Sequence, residues 1–462
     1  MRAVAESAPG HAVVIGASIA GLSAARVLSD FYARVTVFER DDLPATPAHR
    51  ATVPQDRHLH LLMARGANEF EGLFPGLLKD MVAAGVPILQ NRPDCIYLGA
   101  AGHVLGTGDT LRTEFTAYVP SRPHLEWQLR RRVRNIGNVE IVRRSVVAPR
   151  FDPAQHRVTG VLVDSSEPKR PEVVGAELVV DATGRGTRLP VWLSPWGYRR
   201  PTVDTVHIGI RYATHQLRIP DGLVPEKVVV TGVSVHHSLG LGMLCYEDGT
   251  WVLTTFGVAH AKPPSTFREM VALADTLLPA HLGAALARAE PCGAPAFHAF
   301  PASSWRRYDK LDRFPGGIVP IGDAVASFNP TFGQGMTMTS LQAGHLRRAL
   351  ESRDGDLART LNSATAKTTY PVWTMNAIAD LCFHHASGHA PRWYRPVGRL
   401  FDQFLGAAET DPVLAEWFLR RFSLLDSLYL VPPADLIGRA SAHNLRLWLR
   451  ERRQTVTHRR SP

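Results

Sequence analysis

Cysteine is scarce in this 462-residue chain, and its scarcity excludes several classes of protein. The four cysteines, Cys95, Cys245, Cys292 and Cys382, lie far apart in the sequence. No pair has the spacing of a metal site, and four scattered thiols do not make a disulfide framework. We therefore interpret them as inert thiols and predict no metal site.

Long hydrophobic runs are also missing. No apolar run approaches the ~18 to 20 residues that a membrane-spanning helix needs. The first ten residues, MRAVAESAPG, are polar, and the apolar segment HAVVIG follows at once. We therefore expect no signal peptide, no transmembrane segment and a cytoplasmic location.

Acidic residues are fewer than lysines and arginines, so the chain has a net charge of +10. Basic residues cluster at 130–134 and 450–460. A nucleic-acid-binding protein would combine such clusters with a motif of base-stacking aromatic residues, and the sequence has none. We expect no nucleic-acid partner. A solvated arginine-rich surface explains the charge, and the alternative is a basic field that attracts anionic cofactors or an acyl-carrier partner.

The N-terminal region has the pattern of a βαβ unit. Residues 12–17 read as a short buried strand, 23–31 have helical spacing, and 34–40 read as a second strand. Such a unit predicts a parallel sheet with right-handed crossovers. Residues 203–258 instead alternate between apolar and polar side chains and contain glycine turns, which predicts an antiparallel sheet. From 336 onward the pattern is helical.

The predicted fold class is α/β (α+β): a Rossmann-like FAD-binding domain with an inserted antiparallel-sheet substrate domain and a helical C-terminal part. The predicted domains are an FAD-binding domain of 1–75, 120–190 and 300–355, a substrate-binding domain of 76–119 and 191–299, and a helical region of 356–462.

The segment GASIAG, residues 16–21, has the pattern of a phosphate-binding turn. Gly16 permits the tight turn after the strand, and Gly21 permits close packing of the helix on the strand. A pyrophosphate would then lie at the helix N-terminus, where free N–H groups favour negative charge. Ser18 replaces the middle glycine of the usual pattern, and its hydroxyl can itself donate to a phosphate.

Glu39 strengthens the prediction of a nucleotide site. It lies 23 residues after Gly16, at the end of the second strand, where an acidic residue bonds the ribose hydroxyls. Arg40, next to it, is a candidate for the ribose or the phosphates.

Two further segments follow buried strands. DATGRGTR begins at Asp181, and GIVPIGDAVASFNPTFGQGM contains Gly322-Asp323 and a Pro330–Gly335 loop that opens a helix. The Asp323 carboxylate can accept hydrogen bonds from a polyol, and the helix N-terminus offers positive potential to an electron-rich ring.

These three motifs, in this order, resemble the FAD-dependent monooxygenases of the p-hydroxybenzoate hydroxylase fold over roughly residues 11–350. VPQDRHLHLL and SRPHLEWQLR are similar to segments of the bacterial secondary-metabolism members. The branch that the sequence resembles is the flavin epoxidases of polyether biosynthesis. The resemblance implies that Glu39 holds the AMP ribose and Asp323 the ribityl chain or pyrophosphate, with Arg122 and Arg50 near the cofactor.

The candidate FAD-binding residues together are Gly16, Ser18, Ile19, Ala20, Gly21, Glu39, Arg40, Arg50, Arg122, Asp181, Gly322, Asp323, Pro330, Gly333, Gln334, Gly335 and Met336.

The resemblance implies a chemistry in which reduced flavin reacts with O2 to form a C4a-hydroperoxide, which transfers one oxygen atom to a substrate. NADPH or NADH would supply the electrons, directly or through a partner flavin reductase. Transfer to an alkene needs a dry pocket and no base, whereas a phenol needs a base to ionise it. His58 and His60, on a loop, are the candidate bases. We expect a lipophilic substrate and epoxidation, with aromatic hydroxylation as the alternative.

Other flavin functions remain alternatives. A flavin halogenase would carry a W-x-W-x-I-P segment, and VWLSPW at 191–196 has a different spacing. A reductase or dehydrogenase acting on a prenyl-like chain would consume no oxygen. A flavoprotein without enzymatic activity is the last alternative, because a fold alone does not fix a reaction.

Overall fold

A computed structural model describes residues 10–50, 52–90, 92–107, 114–164, 171–352, 355–389 and 393–458 of the chain. The strands, in chain order, are β1 (His11–Ile15), β2 (Arg34–Glu39), β3 (Ile96–Ala100), β4 (His103–Val104), β5 (Val139–Arg143), β6 (Val146–Asp152), β7 (Arg157–Val163), β8 (Glu172–Gly175), β9 (Leu178–Asp181), β10 (Val203–Arg218), β11 (Val228–Thr231), β12 (Leu239–Cys245), β13 (Trp251–Gly257), β14 (Glu290–Arg306), β15 (Ile318–Pro320), β16 (Ala326–Ser327) and β17 (Ser387–Gly388). The helices are α1 (Ile19–Leu28), α2 (Ala64–Leu73), α3 (Leu77–Ala83), α4 (Arg122–Arg134), α5 (Leu189–Leu193), α6 (Phe267–Leu277), α7 (Ala280–Leu286), α8 (Gly335–Ser352), α9 (Leu357–Leu381), α10 (Tyr394–Ala408), α11 (Pro412–Phe422) and α12 (Ala434–His458).

The chain divides into two compact units, each assembled from separate segments. Unit 1 comprises Met1–Val86, Pro120–Thr205 and Ala302–Trp373, and unit 2 comprises Pro87–Val119, Val206–Pro301 and Thr374–Pro462. The assignment of one domain to FAD and another to substrate remains a prediction.

Unit 1 is built around a five-stranded sheet with the strand order β15-β9-β1-β2-β5. Every pairing in this sheet is parallel. Its inner strands β1 and β9 are mostly apolar because the inside of a parallel sheet is buried on both faces; Ala12, Val13 and Val14 of β1 are fully buried. The parallel arrangement brings the carboxyl ends of all five strands to one edge, where the motifs follow.

Unit 2 contains the long antiparallel sheet, in the order β14-β10-β13-β12-β11-β3-β4. The pairings of β10, β11, β12 and β13 are antiparallel, and β3 joins β11 in parallel. Helices α6 and α7 supply Met270, Ala274 and Leu282 to a core against one sheet face. Helix α6 begins with a full capping box between Thr266 and Glu269, which satisfies two N–H groups at its start.

The C-terminal helices belong to unit 2. Phe404 and Leu405 of α10, Leu414 and Phe418 of α11 and Ala440 of α12 form one apolar cluster that also includes Leu105. The cluster fixes one face of each helix and leaves the other faces for solvent.

The predicted fold class is confirmed: a parallel-sheet unit, an antiparallel sheet and C-terminal helices are all present. The sequence did not predict β14, which carries Pro291, Pro295 and Pro301. Proline is tolerated at a sheet edge, where no partner needs its missing N–H. Among the described residues, the outer neighbour of β14 in the sheet order is β16, which pairs only with Ser304 and Trp305. The part with the prolines is therefore an edge strand.

Among the described residues, no helix is both long enough and apolar enough to span a membrane.

Candidate functional site

The turn after β1 packs the first helix tightly against the sheet. Gly16 has φ +101°, which favours glycine, and a Cβ on Gly21 would lie 1.8 Å from the Gly16 carbonyl oxygen. Both glycines are thus required by the backbone, as the sequence predicted. Ser18 is the N-cap of α1, and its side chain makes no cap hydrogen bond.

Glu39, at the end of β2, reaches back to this turn. The Ala17 N–H donates to Glu39 Oε2 at 2.8 Å, and the Asp41 N–H donates to Oε1 at 3.1 Å. Arg50 Nη2 lies 3.0 Å from Oε2. A carboxylate offers about four acceptor positions, so one remains for a further donor.

Arg50 is held by three carboxylates and is itself buried. Its Nη1 donates to Glu126 Oε1 at 2.9 Å, and its Nη2 donates to Asp41 Oδ2 at 2.8 Å and pairs with Glu39. These carboxylates raise the pKa of Arg50, against the effect of burial. Arg50 therefore orients the Glu39 carboxylate, and direct contact between Arg50 and FAD stays a prediction.

The loop that carries Arg50 has its own anchor. Asp56 Oδ2 accepts the Arg50 N–H at 2.7 Å, and Asp56 Oδ1 lies 3.1 Å from His49 Nδ1. The neighbouring Arg40 behaves differently: its side chain is mostly exposed, with Asp41 at 3.7 Å.

Gly322-Asp323 lies directly beside the start of α1. A Cβ on Gly322, which has φ +69°, would lie 2.8 Å from the Ala20 Cβ. The Gly322 N–H donates to Gln342 Oε1 of α8 at 2.6 Å, which fixes the turn. The two motifs, about 300 residues apart in sequence, therefore form one continuous surface.

Arg122, the first residue of α4, connects the same two motifs. Its Nη2 donates to Ser18 Oγ at 3.3 Å, and its buried Nε has no hydrogen-bond partner among the described residues. Burial raises the pKa of Asp323, while Arg122, Arg185 and Arg306 oppose that shift. The Arg122 cation therefore favours the charged form of Asp323, and its Nε is a donor available for a ligand.

The Pro330–Gly335 loop leaves space in front of α8. Gly333 has φ +66°, and Gly335 is the first residue of the helix. A Cβ on Gly335 would meet nothing within 4 Å. Gln334 and Met336 are buried, whereas Pro330 is exposed.

Asp181, at the end of β9, organises its own turn. Its Oδ1 accepts the Thr183 N–H at 3.0 Å and the Thr183 hydroxyl at 2.5 Å, and its Oδ2 accepts the Thr187 hydroxyl. The carboxylate is fully buried. Asp181 thus stabilises the DATGRGTR turn, and its role in cofactor binding stays a prediction.

The two histidines lie on the loop before α2. His60 Nδ1 is 2.9 Å from the His58 carbonyl oxygen. Burial and the nearby Arg122 cation lower the pKa of His60 to about 3. The imidazole is therefore neutral at pH 7 and binds a proton weakly, which makes His60 a poor acceptor for a phenol proton.

Sequence reasoning missed Glu126, Asp41 and Gln342. Glu126 accepts from Ser18 Oγ at 3.2 Å and from Arg50, so it joins the turn, the loop and α4. Its signal in the sequence is that it is the one carboxylate in an arginine-rich helix, RPHLEWQLRRRVR. Gln342 had no signal, because its partner is a backbone N–H.

The residues of unit 1 fit the adenine-dinucleotide and ribityl parts of FAD. Arg122 Nε is an orphan donor, Glu39 has a remaining acceptor position, and Gly335 leaves room before a helix N-terminus. Around Glu39 the arginines Arg50 and Arg130 are balanced by carboxylates. Arg122 and the helix N-termini would thus be the donors for a pyrophosphate.

Solved structures share the fold at low sequence identity. The flavin-dependent brominase Bmp2 has a TM-score of 0.62 and 16% identity, covering 96% of this chain and 100% of its own. A flavoprotein/dehydrogenase from Cytophaga hutchinsonii has a TM-score of 0.65 and 13% identity, covering 94% and 99%. The p-nitrophenol 4-monooxygenase PnpA from Pseudomonas putida DLL-E4 has a TM-score of 0.62 and 18% identity, covering 91% and 99%. The chain therefore shares the fold of these three proteins, while the polyether epoxidase branch remains a prediction.

A much closer relative is Protein Rv3254 from Mycobacterium tuberculosis (strain ATCC 25618 / H37Rv). The two are 76% identical over 464 residues, which covers 98% of each chain. A family described as the Mycobacterium Rv3254 C-terminal domain also matches residues 388–454. The chain therefore belongs to the family of Protein Rv3254.

Proposed function

We propose that the protein binds one FAD in unit 1 and inserts one atom of O2 into a lipophilic small molecule, with alkene epoxidation as the reaction. The observation that carries the FAD site is the position of Arg122, and the oxygen insertion rests on the resemblance to flavin monooxygenases. It bonds Ser18 of the phosphate-binding turn, acts on Asp323 of the second motif, and keeps a buried donor without a partner among the described residues.

Each part of the cofactor has residues suited to it. The N-terminus of α1 and Arg122 would hold the pyrophosphate, and Glu39 would accept from the AMP ribose. Asp323 would accept from the ribityl hydroxyls. The N-terminus of α8, with Gly335 leaving open space, would offer positive potential to the electron-rich part of the ring.

When bound and reduced, the flavin supplies the activation of O2 that makes one oxygen atom electrophilic. The overall reaction consumes substrate, O2, NAD(P)H and a proton, and yields oxygenated substrate, water and NAD(P)+. NAD(P)H reduces the flavin directly or through a partner reductase. The protein's part is to bind, orient and exclude water.

The choice of an alkene over a phenol rests on the bases near the site. A phenol must lose its proton before it attacks, and burial and the Arg122 cation lower the pKa of His60, so this candidate base binds a proton weakly. His58 remains the candidate base for the aromatic alternative, and transfer to an alkene needs no base. The apolar alternation of residues 203–258 supports a lipophilic substrate.

The test is a substrate panel. FAD-loaded protein, supplied with NADPH, NADH or a flavin reductase, is incubated in air with polyenes and with phenols, and the products are read by mass. A gain of one oxygen atom on a polyene supports the proposal. A hydroxylated phenol alone selects the aromatic alternative, and a halide requirement selects a halogenase. Turnover without O2 selects a dehydrogenase.

Asp323→Ala is expected to weaken FAD binding by about 1–3 kcal/mol, or roughly 5- to 150-fold, because it removes a polar partner of the bound cofactor. The measurement is flavin fluorescence titration of the apoprotein. The matched control is Asp312→Ala, whose side chain is 86% exposed and which should leave the affinity unchanged. An unaltered affinity in Asp323→Ala would remove this residue from the site.

Glu39→Gln should weaken FAD binding less than Glu39→Ala does. The amide oxygen can still accept from the Ala17 N–H, whereas alanine leaves that buried donor unsatisfied at a cost of about 1–3 kcal/mol. FAD titration of both variants shows which loses more affinity, and Glu140→Ala on the exposed surface of β5 is the control. Equal losses in the two variants would mean that Glu39 acts through its charge.

A further inference from the structure

Helix α12 has two different apolar faces. One face is anchored in unit 2: Ala440 packs in the C-terminal cluster, Arg439 Nε donates to Asp411 at 2.5 Å, and Asn444 Nδ2 donates to the Gln403 carbonyl oxygen at 2.9 Å. The first half of the helix is therefore held in place by these contacts.

The outward side is apolar where solvent would favour polar residues. Ile437, Leu445, Trp448 and Leu449 are 47%, 56%, 46% and 44% exposed. They are spaced i, i+8, i+11 and i+12, so they lie on one face of the helix. We call these four residues the α12 apolar face. Exposed apolar residues that share one face of a helix indicate an interaction surface.

The charge of α12 indicates what covers this face. The helix carries five arginines and only two carboxylates, and the exposed Arg446 is next to Leu445. A basic helix with leucine and tryptophan on one face is suited to lie in the headgroup region of an anionic bilayer. A second copy of the chain would instead bring the same arginines together, at an electrostatic cost.

We propose that the α12 apolar face binds the surface of a membrane containing anionic lipids, with the helix lying in the plane of the headgroups. The four apolar side chains enter the acyl boundary, and the exposed Arg446 pairs with a lipid phosphate. Helix α10 and its N-cap also expose Trp393, Val397 and Leu400, which enlarges the apolar surface of the C-terminal helices. This proposal does not depend on the flavin reaction.

The experiment is co-sedimentation of the full-length, FAD-loaded protein with phosphatidylcholine vesicles, with and without phosphatidylglycerol. The protein is expected to bind the mixed vesicles, and the binding should weaken in high salt because the lipid charge is screened. The double variant Leu445→Ser/Leu449→Ser should bind the mixed vesicles at least roughly tenfold more weakly, because it loses two apolar side chains that the bilayer would bury. Arg446→Glu should lower binding to the mixed vesicles only.

The matched control is Phe297→Ser, which removes a 60% exposed apolar residue on β14 and should leave vesicle binding unchanged. Circular dichroism and flavin absorbance confirm that each variant is folded. Equal binding to both kinds of vesicle, or no binding, would overturn the proposal. So would a dimer that becomes monomeric in the double variant, because that result identifies a second copy of the chain as the partner.

Discussion

Under isotopically labelled O2, the FAD-loaded protein is expected to place one labelled oxygen atom in its product. The other atom leaves as water. This expectation follows from the unit 1 site, where Arg122, Asp323 and the Gly335 helix start together suit a flavin. Product mass reads the label directly, with labelled water and ordinary O2 as the reciprocal control.

The same measurement separates epoxidation from phenol hydroxylation through His58 and His60. If the substrate is an alkene, His58→Ala or His60→Ala should keep the labelled product and turnover within a few-fold, provided that FAD stays bound, because no protein base is needed. Loss of a general base from a phenol hydroxylase would instead lower turnover roughly 100-fold or more. A product labelled from water would rule out oxygen insertion from O2.

Gly21→Ala is expected to produce the largest structural effect of a single methyl group in unit 1. The added Cβ would lie 1.8 Å from the Gly16 carbonyl oxygen and 2.9 Å from its carbonyl carbon, so the backbone must move. Overpacking of this kind costs about 1–3 kcal/mol and sometimes more, which is a large part of the stability of a typical domain. We expect a lower Tm and loss of bound FAD, since the phosphate-binding turn is displaced.

The control for this variant is Gly72→Ala in helix α2. A Cβ there would meet nothing within 4 Å, so the substitution should be neutral or stabilise the protein by about 0.5–1 kcal/mol. Thermal unfolding and flavin absorbance of both variants measure the contrast. A Gly21→Ala protein that matches the wild type in both would contradict the close packing of α1 on β1.

The elements that the sequence predicted best are those set by local pattern. The strands β1 and β2 are short apolar runs with a glycine turn between strand and helix, and they form as expected. The alternating pattern of 203–258 likewise gives antiparallel strands. In both cases the order of apolar and polar residues along the chain determines the element, so the element can be predicted from the sequence pattern.

The parts of the candidate site that were not predicted depend on long-range contacts. Glu126 and Arg50 meet across 76 residues, and Gln342 meets the Gly322 N–H across 20 residues. Nothing in a single sequence indicates such pairs, because each residue taken alone is an ordinary polar side chain of a helix or loop. Fixed partners of this kind become visible only when the fold brings them together.

The prolines of β14 have a consequence beyond the shape of the sheet. A strand of 17 residues with an open edge offers backbone N–H and C=O groups to any other extended chain, and such edges nucleate aggregation. Pro291, Pro295 and Pro301 each lack the N–H donor that such a pairing would use, and they interrupt the strand at spacings of four and six residues. Another strand could therefore pair with β14 only over short stretches. The three prolines protect the protein from edge-to-edge polymerisation during folding and at high concentration.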